Sequence, residues 1–293
     1  TNELGLDGDY VAATLSWIFE LYERGIITKK DTNGLELNFG DGKAFIEMIK
    51  KLAYREGIGN LLADGTIEAA RKIGKNSEYY LIHMKGQPSL EPFRIPKGWS
   101  LSVCTSPIAG RHLRGSTIGS KRFGPYPRPG KFNMTDYKGQ AEGVYWQSRT
   151  KEIEDNTGIC NYVGTWSGAN FLRLENFLEL INAGMDLDLT TEDLMEYYAK
   201  RGRNLEKAFN ALHTDLGRRD NLPPQRFQEE AVQSGPYKGF RVDRNKFSQM
   251  LDEFYEFWDW DKNTGLQKRS SLEKIGLRKV ADRLSEYGKL IED

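Results

Sequence analysis

The chain has 293 residues, with 42 Lys and Arg against 42 Asp and Glu, a formal net charge of zero, 38% hydrophobic and 12% aromatic residues. That length predicts two domains or one large one, and the composition argues against global disorder and a general nucleic-acid binder with its basic excess; no apolar run approaches the ~20 residues of a membrane span, and the first residues carry no basic-then-apolar signal pattern. Only Cys104 and Cys160 are present, which excludes a disulfide scaffold and any four-thiolate cluster or all-cysteine zinc site built by this chain alone, and predicts a reduced, cytoplasmic setting.

Thr1 leads straight into Asn2-Glu3-Leu4-Gly5-Leu6-Asp7 with no lead-in, so the expectation is a segment of a longer polypeptide rather than a terminus left by Met removal. A first helix is predicted over 8–24, with Asp9 as cap, Val11, Leu15, Ile18, Phe19 and Tyr22 at three-to-four spacing, and Gly25 as the stop. Residues 31–41 read as a loop. A second helix over 42–56 turns Phe45, Ile46, Ile49 and Leu52 inward before Gly57. The apolar set Leu61, Leu62, Ile67, Ala70 and Ile73 spans 59–73, split by Asp64-Gly65 and ended by Gly74. Together these form a helical first domain over 1–84.

From 85 to 139 the chain is dense in Gly, Pro, Arg and Ser, with one buried helix expected at 98–106. Ordered loops of that length line sites or partner surfaces. Helices resume at 140–153, at 170–182 closed by Gly184, and at 191–217 behind Thr190-Thr191-Glu192-Asp193, which looks like a capped start. Leu222-Pro223-Pro224 breaks the pattern and 225–242 reads as a polar loop. Helices at 243–259 and 271–288 close a second domain over 85–293. No long period-two run is present, so the fold class is mainly α.

Two hexapeptides match in spacing. Asn2-x-x-Gly5-Leu6-Asp7 and Asp155-x-x-Gly158-Ile159-Cys160 each place a polar side chain, a glycine, an aliphatic residue and a functional residue at the same intervals. Read from the residues alone, they are two turns that use glycine for positive φ. Together they resemble the paired pterin motifs of the aldehyde:ferredoxin oxidoreductase family, the tungsten-pterin enzymes. Agreement extends through Phe19–Ile26, Ala53–Leu62, His83-Met84-Lys85-Gly86, His112-Leu113-Arg114, Leu251–Asp261 and Leu272–Leu284, so it runs nearly the whole chain.

The resemblance implies helical domains of that family's C-terminal type, with pterin-binding loops between helices. It implies that Asn2, Gly5, Leu6, Asp7, Arg114, Asp155, Gly158 and Ile159 hold a tungsten or molybdenum bis-pterin, and that Cys160 is one thiolate ligand of a 4Fe–4S cluster. A pterin edge presents amide-like donors and acceptors, which a carboxylate and nearby backbone can meet. Asn2 departs from the family's Asp at its position. The resemblance places His112 beside the metal as the catalytic proton carrier. It implies oxidation of aldehydes, with electrons passed to ferredoxin or another carrier, and the remaining cluster cysteines and a β-rich domain in a preceding N-terminal part of the same polypeptide. A homo-oligomer is compatible with it.

Departures from the family pattern fall at Lys85-Gly86-Gln87-Pro88, at Glu91-Pro92-Phe93-Arg94 and in the basic run of Arg111, Arg114, Lys121, Arg122, Arg128 and Lys131. They leave open an acyl-CoA substrate of the benzoyl-CoA reductase type, phosphate contacts, or plain solvated charge. A cofactor-free helical module that only binds a partner is the alternative of a different class. His83 and His213 read as packing residues, Cys104 as a buried thiol, and Phe254, Tyr255, Phe257, Trp258 and Trp260 as helix packing.

Overall fold

A computed structural model describes residues 1–115, 133–164 and 172–293. Lys121, Arg122, Arg128 and Lys131 lie outside the described residues. The chain is mainly helical and divides into two units, one of Thr1–Glu91 with Pro224–Glu230, the other of Pro92–Pro223 with Ala231–Asp293. The contacts therefore put the division a few residues beyond the expected 84/85 and return a short later segment to the first unit.

In the first unit, a 3-10 turn at Asn2–Leu4 precedes α1 (Gly8–Glu23). Asp7, rather than Asp9, caps α1, accepting from the Tyr10 amide at 2.7 Å. Then come α2 (Gly42–Tyr54), α3 (Ile58–Ala63), α4 (Thr66–Ile73) and α5 (Ser77–Tyr80). Leu15, Ile18, Met48 and Leu62, all fully buried, anchor their shared core. Ile46 is a correction: it is 57% exposed, because the buried stripe of α2 runs through Ala44, Phe45, Met48, Ile49 and Leu52 and position 46 lies about 100° off that stripe. Residues β1 (His83–Met84) and β2 (Gln87–Pro88) form a hairpin. Its two-residue turn, Lys85-Gly86, has positive φ at both positions, the geometry that follows strand twist.

The second unit holds α6 (Lys97–Thr105), α7 (Gln140–Asn156), α8 (Leu174–Met185) and α9 (Ala199–His213). The short α10 (Gln225–Glu229), inside the expected polar loop, belongs to the first unit. There Arg226 meets Glu20 of α1 through two 2.7 Å bonds, a bidentate pair. The second unit resumes with α11 (Arg244–Trp258), β3 (Gln267–Lys268), α12 (Arg269–Lys274), α13 (Arg278–Glu286) and β4 (Leu290–Ile291), which pairs in parallel with β3.

Three helices differ from the sequence expectation. Helix α8 runs past Gly184 to Met185 and ends on Asp186 in the left-handed region. The expected 191–217 helix opens as wide π turns over Asp193–Tyr198 before α9, and stops at His213. The last helix is two, divided at Gly276, whose φ is 71°. The aromatic group is packing as expected: Trp258 stacks on Trp260 at 5.4 Å, and the partly exposed Phe257 stacks on Tyr145 at 5.2 Å.

Helix α7 is central to the second unit, contacting α6, α9 and α11. Fourteen of its 17 residues are buried, among them Gln147, Ser148, Arg149, Thr150, Lys151 and Glu152. So polar a run would be costly to bury for packing alone. It ends at the second hexapeptide.

Candidate cofactor half-sites

Each hexapeptide folds as the same backbone device. At the end of α7 the Gly158 amide donates to the Asp155 carbonyl at 3.1 Å and the Ile159 amide to the Glu154 carbonyl at 3.0 Å. This is the paired bonding of a Schellman stop, with Gly158 at φ 72° and Ile159 packed against the core. At the start of the chain the Gly5 amide donates to the Asn2 carbonyl at 3.1 Å and the Leu6 amide to the Thr1 carbonyl at 3.2 Å. Gly5 has φ 65° and Leu6 packs into the first unit's core. The spacing seen in sequence thus has a local cause in both units: glycine reverses the chain, the aliphatic residue pins it, and the polar residue and the last residue are set on either side of the turn.

Neither glycine has anything within 4 Å of where a Cβ would sit, so the space beside each turn is open to a flat ligand. The Cys160 thiol, next in chain, is exposed, whereas Cys104 is buried.

Asp155 is held by two cations. Arg114 Nη1 and Lys151 Nζ both form short ion pairs with its carboxylate. Arg114 Nη2 reaches Glu206 of α9 at 2.9 Å, and Nη1 also lies 3.9 Å from Glu152. Arg203 of α9 adds a 3.3 Å contact to Glu206 and donates to the Thr105 carbonyl at 2.7 Å. The guanidinium of Arg114, expected on the cofactor, is thus paired with the carboxylates of Asp155 and Glu206.

The loop that carries Arg114 lies tight against α7. Ser148 Oγ donates to the Arg114 carbonyl at 3.1 Å, and a Cβ on Gly115 would fall 2.1 Å from that oxygen. Two residues earlier, His112 stacks on Trp99 of α6 with ring centroids 4.6 Å apart and planes at 26°. That stack fixes the plane of the half-buried imidazole. His83 is half-buried, and desolvation lowers its pKa and favours the neutral ring. His213 rests on Phe209 at 4.4 Å.

Sequence reading missed Lys151, Glu152, Arg203 and Glu206. The signal was present: 140–156 has too few apolar residues to explain a buried helix, and charge concentrates just ahead of the Asp155 motif. Burial pushes the Glu152 carboxyl up to about 8, with the neighbouring Glu206 adding to it.

The second half-site suits a polar heterocycle. The Oδ1 of Asn161, immediately after Cys160, is buried without a hydrogen-bond partner. Buried polar atoms are ordinarily satisfied, and a ligand with an amide-like edge beside Gly158 would satisfy an acceptor of this kind. Among the described residues no three His, Cys, Asp or Glu side chains converge to hold a metal ion. Also among them, no helix is long and apolar enough to cross a membrane.

A mainly helical chain with one glycine turn repeated at matched spacing in its two units is the class of domain that the fold and the candidate site define. The profile described as aldehyde ferredoxin oxidoreductase, domains 2 & 3, matches residues 1–277, and the chain belongs to that family. It is 30% identical to the aliphatic sulfonate oxidoreductase, WOR-like subunit, of Pyrococcus furiosus, over 94% of this chain and 41% of that protein. It is 28% identical to a tungsten-containing aldehyde ferredoxin oxidoreductase of the same organism, over 94% of this chain and 44% of that one. Among solved structures, the active site complex BamBC of benzoyl coenzyme A reductase, in complex with 1,5 dienoyl-CoA, shares the fold. The TM-score is 0.76 at 24% identity, covering 97% of this chain and 46% of that one. The chain spans less than half the length of these relatives.

Proposed function

We propose that this chain is the part of a tungsten (or molybdenum) bis-pterin, 4Fe–4S oxidoreductase that grips both pterins and supplies the last cluster thiolate, in an enzyme that oxidises aldehydes to carboxylic acids and passes electrons to ferredoxin. The observation that supports this best is the repetition of one backbone turn, with the same open glycine, in both units of a chain belonging to this family.

Asp155 would accept from the exocyclic amine and a ring N–H of one pterin, with Gly158 allowing the close approach. Asn2 would serve the other pterin through its side-chain oxygen, with Gly5 and Leu6 setting the turn and Asp7 fixing the start of α1. Cys160 would give its thiolate to iron. His112, its ring plane held by Trp99, would hold or move a proton at the substrate oxygen. When bound, the metal–pterin group supplies the two-electron chemistry and the cluster carries the electrons away singly. The remaining thiolates and the cover over the pterins would come from the rest of a longer enzyme.

The basic residues at 111–131 favour a second reading, an aromatic acyl-CoA reductase of the same superfamily. Assay of the complete enzyme with aldehydes against aromatic acyl-CoA thioesters separates the two. Metal analysis of the same enzyme carrying Asp155→Ala or Cys160→Ala tests both against a cofactor-free module. Unchanged tungsten, molybdenum and iron in both variants would sink the cofactor reading.

A further inference from the structure

We propose that Trp99 is the positioning residue of His112: its indole holds one face of the imidazole and thereby sets the direction in which that ring gives or takes a proton. The inference rests on the reading of His112 as a proton carrier, and adds the group through which the fold aims it. The stack itself stands on geometry.

Helix α6 has nine residues, and eight of them are buried; Trp99 is the exception. It stands in the first turn between Lys97 and Ser100, 2% and 1% exposed, and α6 packs on α7 and α11. The base of the indole is therefore fixed by the core while its ring reaches the loop that follows α6. That loop is pinned at both ends. At its start Arg203 and Asn210 of α9 donate to the carbonyls of Thr105 and Pro107, at 2.7 and 2.9 Å, and Ser106 Oγ donates to the Ile108 carbonyl at 2.7 Å. At its end Ser148 of α7 holds the Arg114 carbonyl at 3.1 Å. Between these anchors His112 lies on Trp99, centroids 4.6 Å apart and planes at 26°. A tilted, near-parallel contact at that distance is the favourable offset arrangement of two aromatic rings.

The plane matters because an imidazole exchanges protons only at its two nitrogens, in the plane of the ring. A hydrogen bond weakens steeply once the donor turns off line, so a ring free to rotate about its Cβ–Cγ bond spends little time aimed. An indole against one face opposes that rotation. It also brings no donor or acceptor to the face it covers, so the stack itself occupies neither ring nitrogen. A phenyl ring at position 99 would keep a smaller platform; an aliphatic side chain would keep bulk and lose the flat face.

The test begins with proton NMR of the full chain carrying isotope-labelled histidine. The chain has three His, and the signal lost in H112Q identifies His112. Its ring protons are expected upfield in wild type, shielded by the indole, and to move downfield in W99L. Unmoved signals in folded W99L would overturn the proposal. Should W99L fail to fold, W99F serves instead: the smaller ring is expected to give a smaller upfield displacement, and an identical one would refute the stack. In the complete enzyme, assayed with benzaldehyde or benzoyl-CoA, whichever it turns over, W99L is expected to lower kcat about 100-fold with KM little changed, and W99F to recover most of the loss. In an H112Q background W99L is expected to cost nothing more, since Trp99 acts through His112; a full further loss there would overturn the positioning role. Wild-type kcat in H112Q would remove the proton role of His112 and the proposal with it, whereas an absent ring shift removes the proposal alone.

Discussion

Arg114 reaches Glu206 at 2.9 Å with one guanidinium nitrogen while the other lies on Asp155. One side chain therefore ties the C-terminal end of α7 to α9. Arg114→Ala would leave Asp155 facing Glu206 and Glu152 with Lys151 as its remaining partner. Asp155 is exposed and Arg114 and Glu206 are half-buried, so losing Arg114 is expected to cost about 1–2 kcal/mol in urea unfolding, between an exposed pair and a buried one. Arg114→Lys restores charge but not the fork, and is expected to recover only part of it. Wild-type stability in Arg114→Ala would show that the cluster is not structural.

Gly158 has φ 72° and open space where a Cβ would go. Gly158→Ala therefore meets no clash, and the cost is backbone strain alone, about 1–2 kcal/mol. A methyl group in that space is expected to reduce pterin and metal loading of the complete enzyme far more than the melting temperature. The reading of the turn as a cofactor cradle fails if loading tracks stability alone.

Cys160 is an exposed thiol. Cys160→Ala removes no packing, so the stability of the chain should change by no more than about 0.5 kcal/mol. In the complete enzyme the same change should remove the iron–sulfur signal in electron paramagnetic resonance. Retention of the full signal would refute the ligand assignment.

Gly202 lies in the interior of α9, where Ala is normally better by about 1 kcal/mol. Here the methyl would meet Glu152 Oε2 at 2.6 Å, so Gly202→Ala must push that carboxyl aside, and urea unfolding is expected to show the usual helix gain reduced. Glu152 also sets a pH dependence. Its folded-state pKa, about 8, lies above that of an unfolded glutamate, so the folded chain binds the extra proton. Stability is then fully present below about pH 4 and is lost as pH rises toward about 8. Glu152→Gln should remove that slope, as measured by urea unfolding across this range, and an unchanged slope would contradict the assignment.

Much of the fold was legible in sequence because helix stripes and glycine stops are local. The α1 stripe, the Asp64-Gly65 break, the buried α6 and the aromatic packing of α11 follow from spacing and composition. Where several residues compete for one role, spacing did not suffice. Asp7 rather than Asp9 caps α1, Asp186 rather than Gly184 ends α8, and Ile46 faces outward, each decided by neighbours that a linear pattern does not contain.

The sequence by itself determined the family, the mainly helical class and the two hexapeptides, because each turn is a matter of a few consecutive residues and a glycine that tolerates positive φ. Tertiary structure alone decided what surrounds them. It took residues 114, 152, 155, 203 and 206, spread over about 90 positions, and set them within ion-pair reach. Burial then raises the pKa of the Glu152 carboxyl, a shift its sequence context does not specify, because desolvation and the nearness of the Glu206 charge exist only once α7 and α9 are packed.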